Sequence, residues 1–190
     1  MSFSEFFYTY IAIFTPDRLA GLLVVSAAVV VAFALIRRIS RMSARQSILL
    51  CLAMIYVFCI YFVTVFSRPL ESGVAVFRPF ESYRAALRYH SLTILEYDLL
   101  NVLVLVPLGV LLEEASGQAS RQLAKRAVGW ITLLGALISL SIEILQYVLK
   151  CGVFETDDII HNTLGAFLAA FVWYHIRRRC RRWNQGSRPT

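Results

Sequence analysis

The stretch from Ala127 to Leu149 reads AVGWITLLGALISLSIEILQYVL, and its reading decides the fold. A helix needs about 20 mostly apolar residues to cross a bilayer, and this run supplies them. Yet Glu143 stands inside it, between Ile142 and Ile144, with Gln146 three residues further on. A carboxylate at the centre of a membrane helix costs about 2.5–3.5 kcal/mol on insertion scales, so it calls for a partner. Polar residues recur in the neighbouring runs. Asp98 and Asn101 open the preceding one, and Asp157, Asp158 and Asn162 open the following one. All of them fall at one end of their segments.

Composition agrees with this reading. The 190 residues are 58% hydrophobic and 16% charged, against about 45–50% and 25% in soluble domains. An all-α, polytopic transmembrane helical bundle is expected, forming a single domain over residues 1–190. The net charge of +7 does not point to nucleic acid, because no recognised nucleic-acid module accompanies it. Its basic residues flank apolar runs, where anionic lipid headgroups lie. Membrane lipids are therefore the expected partners. Cys51, Cys59, Cys151 and Cys180 show neither metal nor redox spacing. No HExxH or comparable pattern appears, so no metal and no cofactor are expected.

Five runs can span or nearly span: Leu19 to Ile36, Ser47 to Phe66, Leu99 to Leu112, Ala127 to Leu149, and Asp158 to Ile176. The third is short and contains Pro107 and Gly109. Phe3 to Phe14 suits an interfacial segment within residues 1–18. The start of the chain lacks a basic n-region, so it is read as retained. Arg37, Arg38, Arg41 and Arg45 lie between the first two runs, and Arg121, Lys125 and Arg126 between the third and fourth. Arg177 to Arg182 begins a basic tail over residues 177–190. With five spans these three segments share a side, which the positive-inside rule makes cytoplasmic. The N-terminus is then outside, the C-terminus inside, and every intramembrane carboxylate in the outer half. The long segment from Ser67 to Tyr97 reads as an outer loop of nearly balanced charge.

Helical spacing pairs the polar residues. Asp98 with Asn101 and Glu143 with Gln146 are i, i+3, with Ser139 one turn before Glu143. Asp158 with Asn162 is i, i+4. Each pair lines one face of its helix. Asp98, Asn101, Glu143, Gln146, Asp158 and Asn162 are expected to turn toward one another, with Asp157 at the rim. Gly109, Gly135 and Gly165 would permit close helix approach. The plainer alternative makes Asp98, Asp157 and Asp158 helix N-caps, and Gln146 and Asn162 interhelical hydrogen-bonding groups. His161 and His90 read as incidental.

Three blocks carry a resemblance. They are Asn101 with Pro107-Leu108-Gly109; Glu143-Ile144-Leu145-Gln146 preceded by serines; and Asp157-Asp158-Ile159-Ile160-His161-Asn162-Thr163-Leu164-Gly165-Ala166. In this order they resemble the VanZ-like family of small bacterial membrane proteins, over residues 66–170. Arg68 and Pro79-Phe80 add a weaker fourth match. The chain departs from the family pattern at Val76, at Gly152 and at Ala169. The family has Asn, Arg and Gly at or near these places. The resemblance implies a bacterial inner-membrane protein and a link to low-level resistance to teicoplanin, a lipid-tailed glycopeptide that acts outside the cell. It implies no established reaction.

Two classes of function follow. In the first, a non-enzymatic envelope protein binds or repositions a lipid-linked envelope precursor, or a lipoglycopeptide, at an outer polar pocket. Arg68, Arg78, Asp98, Asn101, Gln146, Asp157 and Asn162 are the candidate ligand-binding residues. In the second, a membrane-embedded hydrolase or transferase uses Glu143 as acid or base and Asp158 to position water or a cation. Arg68 or Arg78 would then stabilise phosphate. An ion pathway is disfavoured, because no polar residues are expected to continue into the inner half.

Overall fold

The computed structural model describes residues 15–39, 42–69, 73–116 and 121–186. The expected interfacial segment at Phe3 to Phe14 and the last residues of the basic tail lie outside them. Helix α1 (Pro16–Ile39) leads to α2 (Ala44–Tyr61), which Ser43 and Gln46 open with a reciprocal capping box. A π-helical turn, Phe62–Phe66, continues α2 to its end. Strand β1 (Val74–Val76) and the short amphipathic helix α3 (Glu81–Tyr89) follow. Then come α4 (Leu92–Val104), α5 (Val106–Ser116) and α6 (Arg121–Val148). Strand β2 (Val153–Glu155) and α7 (Thr156–Gly186) complete the chain.

Among the described residues, four helical stretches are long and apolar enough to cross a membrane: Ala44–Phe66, Leu92–Ser116, Arg126–Val148 and Thr156–Trp183. The apolar part of α1, Leu19–Leu35, is shorter. The third run proves long rather than short. Sequence hydropathy placed its start at Leu99, but the helix begins at Leu92 and joins α4 to α5 through a break at Leu105. Pro107 accounts for the break, since it lacks an N–H and its ring crowds the preceding turn. Tyr56 on α2 donates its hydroxyl to the Val104 carbonyl there, at 2.8 Å. Backbone groups freed at a break need such a donor in an apolar medium.

Apolar residues line both the core and the outside of the bundle. The buried residues include many small or polar ones, among them Ala53, Ala166, Ala170, Ser139 and Glu143. Large apolar residues such as Leu23, Leu52, Leu99, Trp130, Leu137 and Val172 are exposed around the bundle. That is the pattern of helices that pack by small residues and face lipid. Helix α7 is central and packs against α4, α5 and α6, while α2 packs against α5 and α1. Its crossing with α4 is close: a Cβ added at Gly165 would lie 1.8 Å from the Val102 carbonyl oxygen.

The segment from Ser67 to Tyr97 is not an open loop, and the fold is not purely helical. Strand β1 pairs in parallel with β2, with Val74 opposite Val153 and Val76 opposite Glu155. Helix α3 is set off by two left-handed residues, Phe80 (φ 62°) and His90 (φ 48°). The sheet, α3, the end of α2 and the starts of α4 and α7 share one end of the bundle. At the other end Arg45 pairs with Glu114, and Arg177 with Glu113. Cysteine labelling tests which of the two ends faces outward. Cys151 is buried and is a poor reporter. Arg88→Cys on exposed α3 should be labelled from outside intact cells, and Cys180 only after permeabilisation. Labelling of both from one side would overturn the assigned orientation.

Candidate functional site

A cavity of about 510 Å³ lies at the sheet-bearing end. Its lining runs from Arg68, just after the π-helical turn, to Asp158 on α7, and seven expected site residues border it: Arg68, Arg78, Asp98, Asn101, Gln146, Asp157 and Asp158. Glu143 and Asn162 do not border it; they lie behind its wall. Glu81, Ser82, Gly152 and Glu155 complete much of its polar lining. Its signs are therefore mixed, with two guanidinium groups facing several carboxylates.

The polar residues converge through specific bonds. Asn101 on α4 donates its amide to Asp158 Oδ1 on α7, at 2.6 Å. Asn162 donates to Ser139 Oγ at 2.8 Å, joining α7 to α6. Gln146 donates to the Thr64 carbonyl in the π-helical turn at 2.9 Å. The π-helical turn thus presents a backbone acceptor to α6. Glu143 is 2% exposed and points inward. Its Oε2 accepts the Glu155 backbone N–H at 2.9 Å, which ties α6 to β2.

Asp157 borders the cavity with its carboxylate turned into the protein. It is 4% exposed, and its carboxylate accepts the backbone N–H groups of Phe80 and Ser82 and the Ser82 hydroxyl. Phe80 has no side-chain cap of its own, so Asp157 caps α3 from another helix. This explains why an acid precedes Asp158 where one would suffice to start α7. Asp157→Ala should loosen α3 by about 1–2 kcal/mol, the usual range for a lost cap. Hydrogen exchange at the Ser82 amide should then rise about 5–30-fold, with α6 unchanged. Equal protection of α3 in both proteins would refute the clamp.

His161 is not incidental. It is 3% exposed, with Nε2 2.9 Å from the Tyr83 hydroxyl and Nδ1 3.5 Å from Asp98 Oδ1. The three residues join α3, α7 and α4. Sequence reasoning missed this contact because Tyr83 and His161 lie 78 positions apart, with no local pattern to connect them. Burial pushes the Glu155 carboxyl above its ordinary range, and the charges of Asp157 and Asp98 add to this. Arg68 opposes the shift. Burial likewise raises the Tyr83 phenol, with Asp98 and Asp157 contributing. Arg68 also approaches Gly152: a Cβ there would lie 3.3 Å from its Nη1. A larger residue at position 152 would crowd that guanidinium.

Buried acids are not confined to the cavity end of the bundle. Glu113 is 0% exposed and pairs with Arg177 at the end away from the cavity. Sequence reading passed over it because it lies at the close of its run. No group of three or more His, Cys, Asp or Glu side chains suited to a metal occurs among the described residues.

Fold and site together define a small helical membrane protein with a polar pocket at one end of its bundle. The VanZ/LLP1 family model matches residues 47–177, and the chain belongs to that family. The match extends beyond the 66–170 of the sequence resemblance and takes in α2 and most of α7. No curated protein and no solved structure matches the chain.

Proposed function

We propose that this VanZ-family protein binds the headgroup of a lipid-linked envelope molecule at the outer face of the bacterial inner membrane. By holding or repositioning that molecule it alters what a teicoplanin-type glycopeptide can reach. The observation that carries this reading is the cavity of about 510 Å³, within the usual range of about 300–1,000 Å³ for small-ligand sites. Its chemistry fits a phosphate joined to a hydroxyl-rich or amide-bearing group. Arg68 and Arg78 suit the phosphate, and Asp98, Asp158, Glu155 and Asn101 suit hydroxyl and amide donors. A bare phosphate is a poorer fit, because the carboxylates outnumber the arginines.

Glu143 as acid or base is less well supported. It does not border the cavity, and one oxygen is bonded to the Glu155 amide. A reaction reading has one observation on its side, the Asp98–His161–Tyr83 contact beside the pocket. Both readings meet the same experiment. The purified protein is incubated with native envelope lipids, and bound and altered species are identified by mass spectrometry. Binding predicts an intact phosphate-bearing lipid, retained by the native chain and reduced about tenfold, or about 1.4 kcal/mol, in Arg68→Gln. Glu143→Gln should retain it, and at matched expression should keep any glycopeptide phenotype. Consumption of a lipid would overturn the non-enzymatic reading. Loss of phenotype in a well-folded Glu143→Gln protein would restore the acid–base role.

A further inference from the structure

At the end of the bundle away from the pocket, α6 and α7 enclose a groove of about 560 Å³. Val128, Phe167 and Phe171 give it apolar walls, and Gly129 widens it: a Cβ built there would meet nothing within 4 Å. A second recess of about 330 Å³ is lined by His175, Arg178, Arg179 and Arg182, with no acid among its lining residues. Arg178 borders both. The Tyr174 hydroxyl, beside the groove, is covered by the protein and has no hydrogen-bond partner among the described residues.

We infer that this face holds one anionic glycerophospholipid, with an acyl chain in the groove and its phosphate on Arg178, Arg179 and Arg182. An apolar channel running into an acid-free cluster of guanidinium groups matches a lipid's own division into tail and charged head. Clustered arginines at the cytoplasmic end of a membrane helix attract anionic headgroups on this principle. Guanidinium forks suit phosphate oxygens better than a point charge does. The site is separate from the pocket and does not depend on what the pocket binds.

The test uses the full chain reconstituted in equal phosphatidylglycerol and phosphatidylcholine, then released for native mass spectrometry. One phosphatidylglycerol per chain should be retained, about tenfold over phosphatidylcholine, a preference of about 1.4 kcal/mol. Arg178→Gln with Arg182→Gln should abolish that preference. Gly129→Leu should lower retention of both lipids with the arginines intact, because it fills the groove. Arg68→Gln should change nothing at this site. Equal retention of the two lipids by the native chain would overturn the inference. So would unchanged retention in the arginine variant, or a dimer formed through this face in place of bound lipid. The arginine variant carries the test on its own if Gly129→Leu does not fold.

Discussion

Arg177→Met should destabilise the protein by about 3–5 kcal/mol, the range for breaking a buried ion pair by removing one partner. The loss comes chiefly from Glu113, which is 0% exposed and would be left as a stranded charge. Arg177 does more than neutralise it. Its guanidinium donates to the Glu113 carboxylate and, at 2.8 Å, to the Glu113 carbonyl. Gln46 reaches the Ala115 carbonyl at 3.2 Å. The last four carbonyls of a helix have no partner within it, so α2 and α7 close the end of α5 between them. Glu114 extends the cluster by accepting from Arg45 and from the Trp173 indole. The double variant Glu113→Leu with Arg177→Met should be more stable than Arg177→Met alone, because it leaves no unpaired charge. Reversible unfolding in detergent measures both. Native-like stability of Arg177→Met would show that the pair is not the clamp described.

Gly165→Ala should be as damaging, although it adds one methyl group. Overpacking typically costs about 1–3 kcal/mol, and more where backbone must move. Here the atom in the way is backbone: the new Cβ would lie 1.8 Å from the Val102 carbonyl oxygen. Helices α4 and α7 would have to separate, and the Asn101–Asp158 bond across them would lengthen or break. Gly129→Ala is the control. It meets nothing within 4 Å and gains about 0.8–1.0 kcal/mol of helix propensity. The expected order of thermal stability is Gly129→Ala at or above the native chain, and Gly165→Ala far below. A Gly165→Ala protein that melts with the native chain would mean that the two helices do not cross this closely.

Much of this protein could be read from local pattern alone. Hydropathy is a sum over neighbours, so the helical bundle and its apolar runs follow from the sequence directly. The i, i+3 and i, i+4 spacings put Asp98 with Asn101, Glu143 with Gln146, and Asp158 with Asn162 on single helix faces. The ordered blocks around them sufficed for the family. Seven of the nine candidate site residues, two of them the loop residues Arg68 and Arg78, border one cavity. The true start of the third run at Leu92 was missed because Thr93, Glu96 and Asp98 depress hydropathy there without stopping a helix. Partnership was the part that only tertiary structure decided. Glu143 lies behind the pocket wall on the Glu155 amide, Asp157 caps a helix 75 residues away in sequence, and His161 meets Tyr83 from 78 away. Glu113 Oε1 accepts from Arg177, 64 residues away. These bonds depend on how closely and at what height the helices cross. That is set by contacts such as Gly165 against Val102, which no period within a single segment encodes.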